Sequence, residues 1–160
     1  LEAGIKMGPL AHARRRPAVA ALIDEAITKG ARKLAGGEAL PGKGYFYAPT
    51  ILADVPDSAR IMNEEPFGPV AVLQPFRDFD EVVKQANRLP YGLAAYAFTN
   101  NAKRVNLLGE QIESGMLGIN SFMIAMPEAP FGGVKESGHG SEEGIEGLDA
   151  CLVTKFITES

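Results

Sequence analysis

Two hydrophobic periods alternate between residues 70 and 120, and this alternation constrains the fold more than any other feature of the chain. Residues 70–76 form a short apolar run, and Phe79, Val82, Val83 and Ala86 then recur at helical spacing behind Asp78. Residues 93–99 are a second apolar run, followed by Val105, Leu108 and Ile112 on one face of a helix that Asn100 would open. Residues 116–120 are a third. Asp and Asn suit the positions before such helices because their side chains accept hydrogen bonds from the unpaired N–H groups of a first turn. Strand–helix–strand–helix–strand with short connections implies right-handed crossovers and parallel pairing. The runs are apolar on both faces, as a doubly covered sheet requires. The predicted fold class is α/β, with a parallel-sheet βαβαβ core.

The flanking segments read less regularly. Val19, Leu22, Ile23, Ala26 and Ile27 mark one buried face of a helix over residues 17–29, with Pro17 at its start and Gly30 as a left-handed exit. Residues 32–35 read as a strand, and residues 45–55 as an extended run that Pro49 demotes to an edge or an irregular hairpin. Residues 58–64 read as a helical turn stopped by Pro66. After Asn120, residues 121–141 are too long for an ordinary connector. Six glycines lie between Gly132 and Gly147, which points to close backbone approaches. A short helix over 142–150 and a last strand over 152–158 close the chain.

Composition narrows the partners. Sixteen Lys and Arg against twenty Asp and Glu leave a net charge of −4, without the basic excess of nucleic-acid binders. The run Arg14–Arg16 is too short to change that and reads as a solvated lead-in. No uncharged stretch exceeds fourteen residues, whereas a membrane span needs roughly 18–20 apolar ones. The expected partners therefore include neither nucleic acid nor membrane. A single cysteine excludes an internal disulfide, and no ligand cluster argues for a metal. With no glycosylation sequon and no signal peptide, the expected home is cytoplasmic. The opening at Leu1 rather than Met reads as the interior of a longer protein.

Ligands of open α/β sheets sit beyond the carboxyl ends of the strands. The third run delivers Asn120 and the segment Ala129-Pro130-Phe131-Gly132-Gly133-Val134-Lys135-Glu136-Ser137-Gly138-His139-Gly140 to that edge. Paired glycines admit close backbone approach and Lys135 offers a point charge, but no dinucleotide fingerprint is present. Glu64-Glu65-Pro66-Phe67-Gly68-Pro69 is the second unusual stretch. A carboxylate can grip vicinal ribose hydroxyls, and an aromatic ring two residues later can pack on a flat heterocycle. The plain alternative is a helix end followed by a proline-fixed turn. Cys151, between a helix and an apolar strand, reads as a buried inert thiol. His12 and His139 are far apart in sequence. The residues thus give ligand-binding parts and no reactive group.

Together the segments resemble the C-terminal third of the NAD(P)-dependent aldehyde dehydrogenase superfamily. The resemblance runs from Met7-Gly8-Pro9-Leu10 through Tyr47-Ala48-Pro49-Thr50-Ile51-Leu52 and Glu64-Glu65-Pro66-Phe67-Gly68-Pro69. It continues through Ala86-Asn87, Tyr91-Gly92-Leu93 and Gly115-Met116-Leu117-Gly118-Ile119-Asn120 to Pro130-Phe131-Gly132-Gly133-Val134-Lys135-Glu136-Ser137-Gly138. It implies oxidation of a small-molecule aldehyde to a carboxylic acid with NAD or NADP, through a cysteine thiohemiacetal and thioester. By resemblance Glu65 holds the nicotinamide ribose, Phe67 packs near the nicotinamide, Asn120 and Phe131 border the substrate, and Glu142 lies on a proton path. The nucleophile, the general base and the Rossmann glycines would lie upstream of Leu1, so the chain alone is expected to be inactive. Residues 1–150 would be the end of a catalytic domain and residues 151–160 an oligomerisation strand, with a homo-oligomer formed through 151–158.

The chain departs from the family pattern at Ser141, where arginine is usual, and at Cys151, where tyrosine is frequent. Its 129–133 loop looks most like the succinate-semialdehyde dehydrogenase branch, yet Ala125 stands near where that branch offers a serine. Simple sheet geometry puts the Glu65 segment and the glycine segment at opposite edges, whereas the resemblance needs the former to fold back toward the cofactor. The alternative from another class is a non-catalytic α/β module for assembly or ligand binding.

Overall fold

In a computed structural model describing residues 4–160, the apolar stripe of the first helix buries where its spacing predicts, except at Ile27 in the last turn, which stays exposed. Helix α1 (Arg15–Thr28) turns Val19, Leu22, Ile23 and Ala26 inward. It starts two residues before Pro17, which still falls in the first turn, where a missing N–H breaks no helical bond. Gly30 leaves the helix at φ +105° and its N–H returns to the Ile27 carbonyl at 2.9 Å.

Three strands follow: β1 (Arg32–Ala35), β2 (Thr50–Ala53) and β3 (Val70–Leu73), in the order β1-β2-β3. β1 runs antiparallel to β2, and β3 runs parallel to it from Thr50↔Val70 to Ala53↔Leu73. This corrects the reading of residues 45–55, because β2 is the central strand. Pro49 stands just ahead of Thr50, outside the ladder, so its missing N–H costs no bond. The irregular hairpin survives only in the approach, as an isolated Ala39↔Tyr47 bridge. Leu52 and Thr50 are buried, and the Thr50 hydroxyl donates to the Ala48 carbonyl and accepts from the Gly37 N–H, each at 2.8 Å. A single 3-10 turn (Arg60–Met62) contributes Ile61 to the core of Val19, Ile23, Leu52 and Val55.

These elements belong to one compact unit, Leu1–Pro75, and the remainder to a second, Phe76–Ser160. In the second, α2 (Phe79–Asn87) is capped by the Asp78 carboxylate accepting from the Glu81 N–H at 2.9 Å. β4 (Tyr91–Gly92) and β5 (Ala94–Ala97) precede α3 (Ala102–Gln111), and β6 (Met116–Ile119) pairs parallel with β5. The cap of α3 is Asn101, accepting from the Arg104 N–H at 3.1 Å, and not Asn100. The side chain must sit one residue before the first helical position for its oxygen to reach the N–H three residues on. β7 (Val134–Lys135), inside the glycine segment, pairs antiparallel with β4.

The α/β class and the succession β3-α2-β5-α3-β6 are as the periodicity predicts. The pairing is shared between two ladders, β3 taking β2 as its partner and β5 taking β6. Residues 142–150, read as a helix, hold only a 3-10 stretch (Glu146–Cys151) after Gly144 turns left-handed at φ +56°. Residues 152–158, read as a strand, join no ladder among the described residues; a strand needs a partner edge, and none is offered here. Val153 and Phe156 are 95% and 87% exposed. Cys151 is exposed rather than buried, because that uncovered tail leaves it without packing. Among the described residues no helix is long and apolar enough to cross a membrane.

Candidate functional site

The paired glutamates at 64 and 65 separate into two roles. Glu64 is taken by Arg60, whose guanidinium donates to both carboxylate oxygens at 2.7 and 2.8 Å. That hydrogen bonding holds the Glu64 carboxyl below its ordinary value. Glu65 is exposed, and its carboxylate makes no hydrogen bond or ion pair among the described residues. Pro66 follows, and then Phe67, with a left-handed φ of +28° and a ring 66% exposed. The turn is seated from both sides. Thr50 N–H donates to the Pro69 carbonyl and Val70 N–H to the Gly68 carbonyl, each at 2.8 Å, which leads the chain into β3 beside β2. From α1, Arg15 Nη2 reaches the Pro66 carbonyl at 2.7 Å and the Phe67 carbonyl at 3.3 Å. A Cβ at Gly68 would fall 2.7 Å from Val19 Cγ2, so only glycine lets the turn lie against the helix.

Glu65 and Phe67 thus share one short turn of the first unit, with a free carboxylate and an uncovered ring two residues apart. The free carboxylate can accept from two vicinal hydroxyls, and the uncovered ring offers an apolar face.

Asn120, Phe131 and Glu142 belong to the second unit. Asn120 sits one residue past β6 at φ +55°. Its Oδ1 accepts from the Thr99 N–H at 2.8 Å and its Nδ2 donates to the Thr99 carbonyl at 2.9 Å. Half of the amide's hydrogen-bonding capacity is therefore spent on the strand end, leaving one N–H of Nδ2 and one lone pair of Oδ1 for a ligand. Phe131 and Glu142 are brought together by the backbone. Each N–H donates to the other's carbonyl at 2.7 Å, and both residues line an open cleft of about 360 Å³ with Leu93, Ser137, His139 and Ser141.

The glycine segment makes the close approaches its composition predicts, since a Cβ on Gly115 would strike the Gly132 carbonyl. Lys135 does not present its charge to the cleft. Its ammonium pairs with Glu113 and donates to the carbonyls of Asn87 at 3.0 Å and Leu89 at 3.3 Å, at the C-terminal end of α2. That helix end carries partial negative charge, and a cation there is favourable. Asn87 completes the clasp by donating to the Gln111 carbonyl at 2.6 Å and accepting from the Glu113 N–H at 2.9 Å. Ser137 adds a bond from the Gly92 N–H at 2.9 Å. Sequence reasoning named Asn87, Ser137 and the run holding Arg15 but gave them and Glu113 no role, because their partners lie far away along the chain. Among the described residues no group of His, Cys, Asp and Glu could hold a metal ion.

Comparison with known proteins is consistent with this geometry. The sequence profile of the "Aldehyde dehydrogenase family" matches residues 1–157. The chain is 52% identical over 157 residues to 4-(hydroxymethyl)benzenesulfonate dehydrogenase TsaD1 of Comamonas testosteroni, covering 98% of this chain and 33% of that protein. It is 42% identical to the succinate-semialdehyde dehydrogenase [NADP(+)] GabD of Escherichia coli K12, covering 98% of this chain and 33% of that protein. The NAD+ complex of an aldehyde dehydrogenase from Bacillus cereus superposes with a TM-score of 0.88 at 40% identity, over 92% of this chain and 30% of that one. The chain spans about a third of the length of the curated relatives it matches.

Proposed function

Since the chain belongs to the aldehyde dehydrogenase family, whose relatives use NAD or NADP, we propose that it is the C-terminal third of an enzyme oxidising an aldehyde to a carboxylic acid. In this reading the nicotinamide cofactor, when bound, accepts the hydride. Glu65 receives the hydroxyls of its nicotinamide ribose and Phe67 packs beside the ring. Phe131 borders the aldehyde, Asn120 holds the strand end that carries the substrate loop and offers its remaining N–H, and Glu142 passes a proton along the cleft. The nucleophilic cysteine and the general base would come from preceding sequence, so the 160-residue chain alone is not expected to turn over an aldehyde. Residues 151–158 would complete a homo-oligomer.

The observation that carries the reading is the division of labour at residues 64 and 65, with one carboxylate bound to Arg60 and its neighbour left free. In the longer protein, Glu65→Gln should raise the cofactor KM roughly tenfold or more, since charge-assisted hydrogen bonds contribute about 1.5–3 kcal/mol each. Equal KM values for the two proteins would defeat the assignment.

A second reading of the substrate is favoured by residues 121–126. Phe122 and Met123 are 72% and 71% exposed, Met126 is also exposed, and Ala125 can donate no hydrogen bond. A loop of this chemistry suits an apolar or aromatic aldehyde better than the carboxylate of succinate semialdehyde. The aromatic ring of the substrate named for the 52%-identical relative agrees with the aromatic part of that reading, although its sulfonate is an anion like the carboxylate of succinate semialdehyde.

A further inference from the structure

We infer that Arg15 is the positioning residue of the Glu65–Phe67 turn, holding Phe67 in its left-handed conformation from the first turn of α1. The turn cannot hold itself. Pro66 has no N–H to donate, and Phe67 at φ +28° occupies a region that a bulky side chain rarely enters. A conformation of that kind persists only where the surroundings over-determine it. The Thr50 and Val70 N–H groups hold only the carbonyls that follow, those of Pro69 and Gly68; at Pro66 and Phe67 themselves one guanidinium nitrogen bridges the two successive carbonyls. Its neighbour Arg16 is turned away to the carbonyls of Leu40 and Gly44, at 3.4 and 3.5 Å. Arg14 is exposed, and its side chain makes no bond among the described residues. The run Arg14–Arg16 is therefore not the solvated lead-in that its composition suggested, since Arg15 and Arg16 open α1 and are bonded, and only the middle arginine reaches the turn.

The guanidinium is suited to this task. It stays charged, its donors are fixed in a plane, and it is half-buried against the turn, with Nε enclosed and unbonded. Contact of Gly68 with Val19 brings the turn within reach of the same helix, so α1 sets both its distance and its twist. Glu65 and Phe67 flank Pro66, whose carbonyl Arg15 binds most tightly, so rotation there would swing both side chains. The consequence for cofactor binding rests on the function proposed above. Arg15 acts through the backbone and is not itself a catalytic residue.

The test uses Arg15→Ala and Arg15→Lys, with Arg14→Ala as control. In the 160-residue chain, amide exchange is followed at Val70 and Thr50, which donate to the Gly68 and Pro69 carbonyls, and at Ile23 in the core of α1. Arg15→Ala should speed exchange at Val70 and Thr50 about tenfold relative to Ile23, the size expected for losing a charged hydrogen bond. Arg15→Lys, with one ammonium in place of the fork, should recover part of that protection, and Arg14→Ala should change nothing. Unchanged ratios in Arg15→Ala, or equal effects from Arg14→Ala, would overturn the assignment. If Arg15→Ala unfolds the chain, the ratio in Arg15→Lys decides in the same way. In the longer protein, Arg15→Ala should raise the cofactor KM and leave the aldehyde KM in place, a split that simple loss of folded protein does not produce. If Glu65→Gln raises the cofactor KM and Arg15→Ala does not, the positioning role falls and the cofactor reading stands. If Glu65→Gln has no effect, the cofactor reading falls, and the exchange ratios alone judge Arg15.

Discussion

The side-chain amide of Asn120 closes on the backbone of Thr99, accepting from its N–H at 2.8 Å and donating to its carbonyl at 2.9 Å. This pair extends the β5–β6 ladder by side chain just where the backbone of Asn120 turns left-handed. Asparagine serves both needs, since it tolerates that region and carries a donor and an acceptor. Asn120→Ala should lose both and destabilise the second unit by about 1–3 kcal/mol. Asn120→Gly removes the bonds without the backbone strain, so it should cost about 1 kcal/mol less. Urea denaturation of the two variants separates the contributions, and equal losses would remove strain from the account.

Lys135 is a stability residue by the same reasoning. Its ammonium meets the carbonyls of Asn87, the last residue of α2, and of Leu89 just beyond it, together with the Glu113 carboxylate, and Glu113 is 56% exposed. An exposed carboxylate is screened by water, so Glu113→Gln should cost under about 1 kcal/mol. Lys135→Met keeps the stem and loses every bond, and should cost about 1–3 kcal/mol. Equal losses would mean that the ion pair, not the helix end, holds the glycine segment.

Acid should weaken the first unit through two carboxylates. Glu25, hydrogen-bonded to Lys29 and to the Arg60 N–H, and Glu64, hydrogen-bonded to Arg60, both sit below the ordinary value of 4.5. A lowered folded-state pKa means that the native state binds the proton less readily than the unfolded one. The stabilisation is therefore complete above that ordinary value and is lost as the pH falls through the lower native one. Glu64 faces solvent and Glu25 is only partly covered, so the effect should be small. Glu25→Gln/Glu64→Gln should melt below wild type near neutrality and converge with it in acid. Parallel curves across that range would rule these two groups out as its source.

Substrate preference offers a test in the longer protein. If the exposed Phe122, Met123 and Met126 face the aldehyde, kcat/KM should favour a benzaldehyde over succinate semialdehyde. Ala125→Ser should narrow that gap by supplying a donor, within the roughly 10–200-fold that one small group commands. Preference for succinate semialdehyde in the unaltered protein would restore the branch that the 129–133 loop resembles.

The fold was legible where a local period matched a local cause. The α1 stripe and the Asp78 cap needed only neighbours in sequence, and both stand. Thr50–Ala53 was misplaced because its rank as the central strand comes from pairing with Val70–Leu73, which no property of Pro49 discloses. Two-residue strands such as Tyr91–Gly92 and Val134–Lys135 are too short to carry a period. At the site, the Glu65 and Phe67 constellation could be read from residue types alone. Which glutamate stays free depends on Arg60, and what holds the turn depends on Arg15, fifty-one residues from Pro66.

The tail provides the last test. Leu152 and Phe156 fall on one side of an extended chain and Val153 and Ile157 on the other, and all four are exposed, at 67%, 87%, 95% and 75%. No edge of the second unit takes them up among the described residues, so burial against the chain's own surface, one of the two outcomes open to such a segment, is not the one adopted. Two apolar faces on an unpaired segment are unusual, because free edges are normally blunted by charge or proline. Lys155 is the only charge within residues 152–158. Covering the four side chains would contribute roughly 6–12 kcal/mol gross, before the cost of ordering the segment. A second copy can supply both the apolar cover and the missing hydrogen-bond partners, and the protein should therefore self-associate through residues 151–158. Light scattering on the whole chain and on one ending at Ala150 decides the matter. A concentration-dependent mass that disappears on truncation is the expected result, and a monomer in both cases would refute the assembly role.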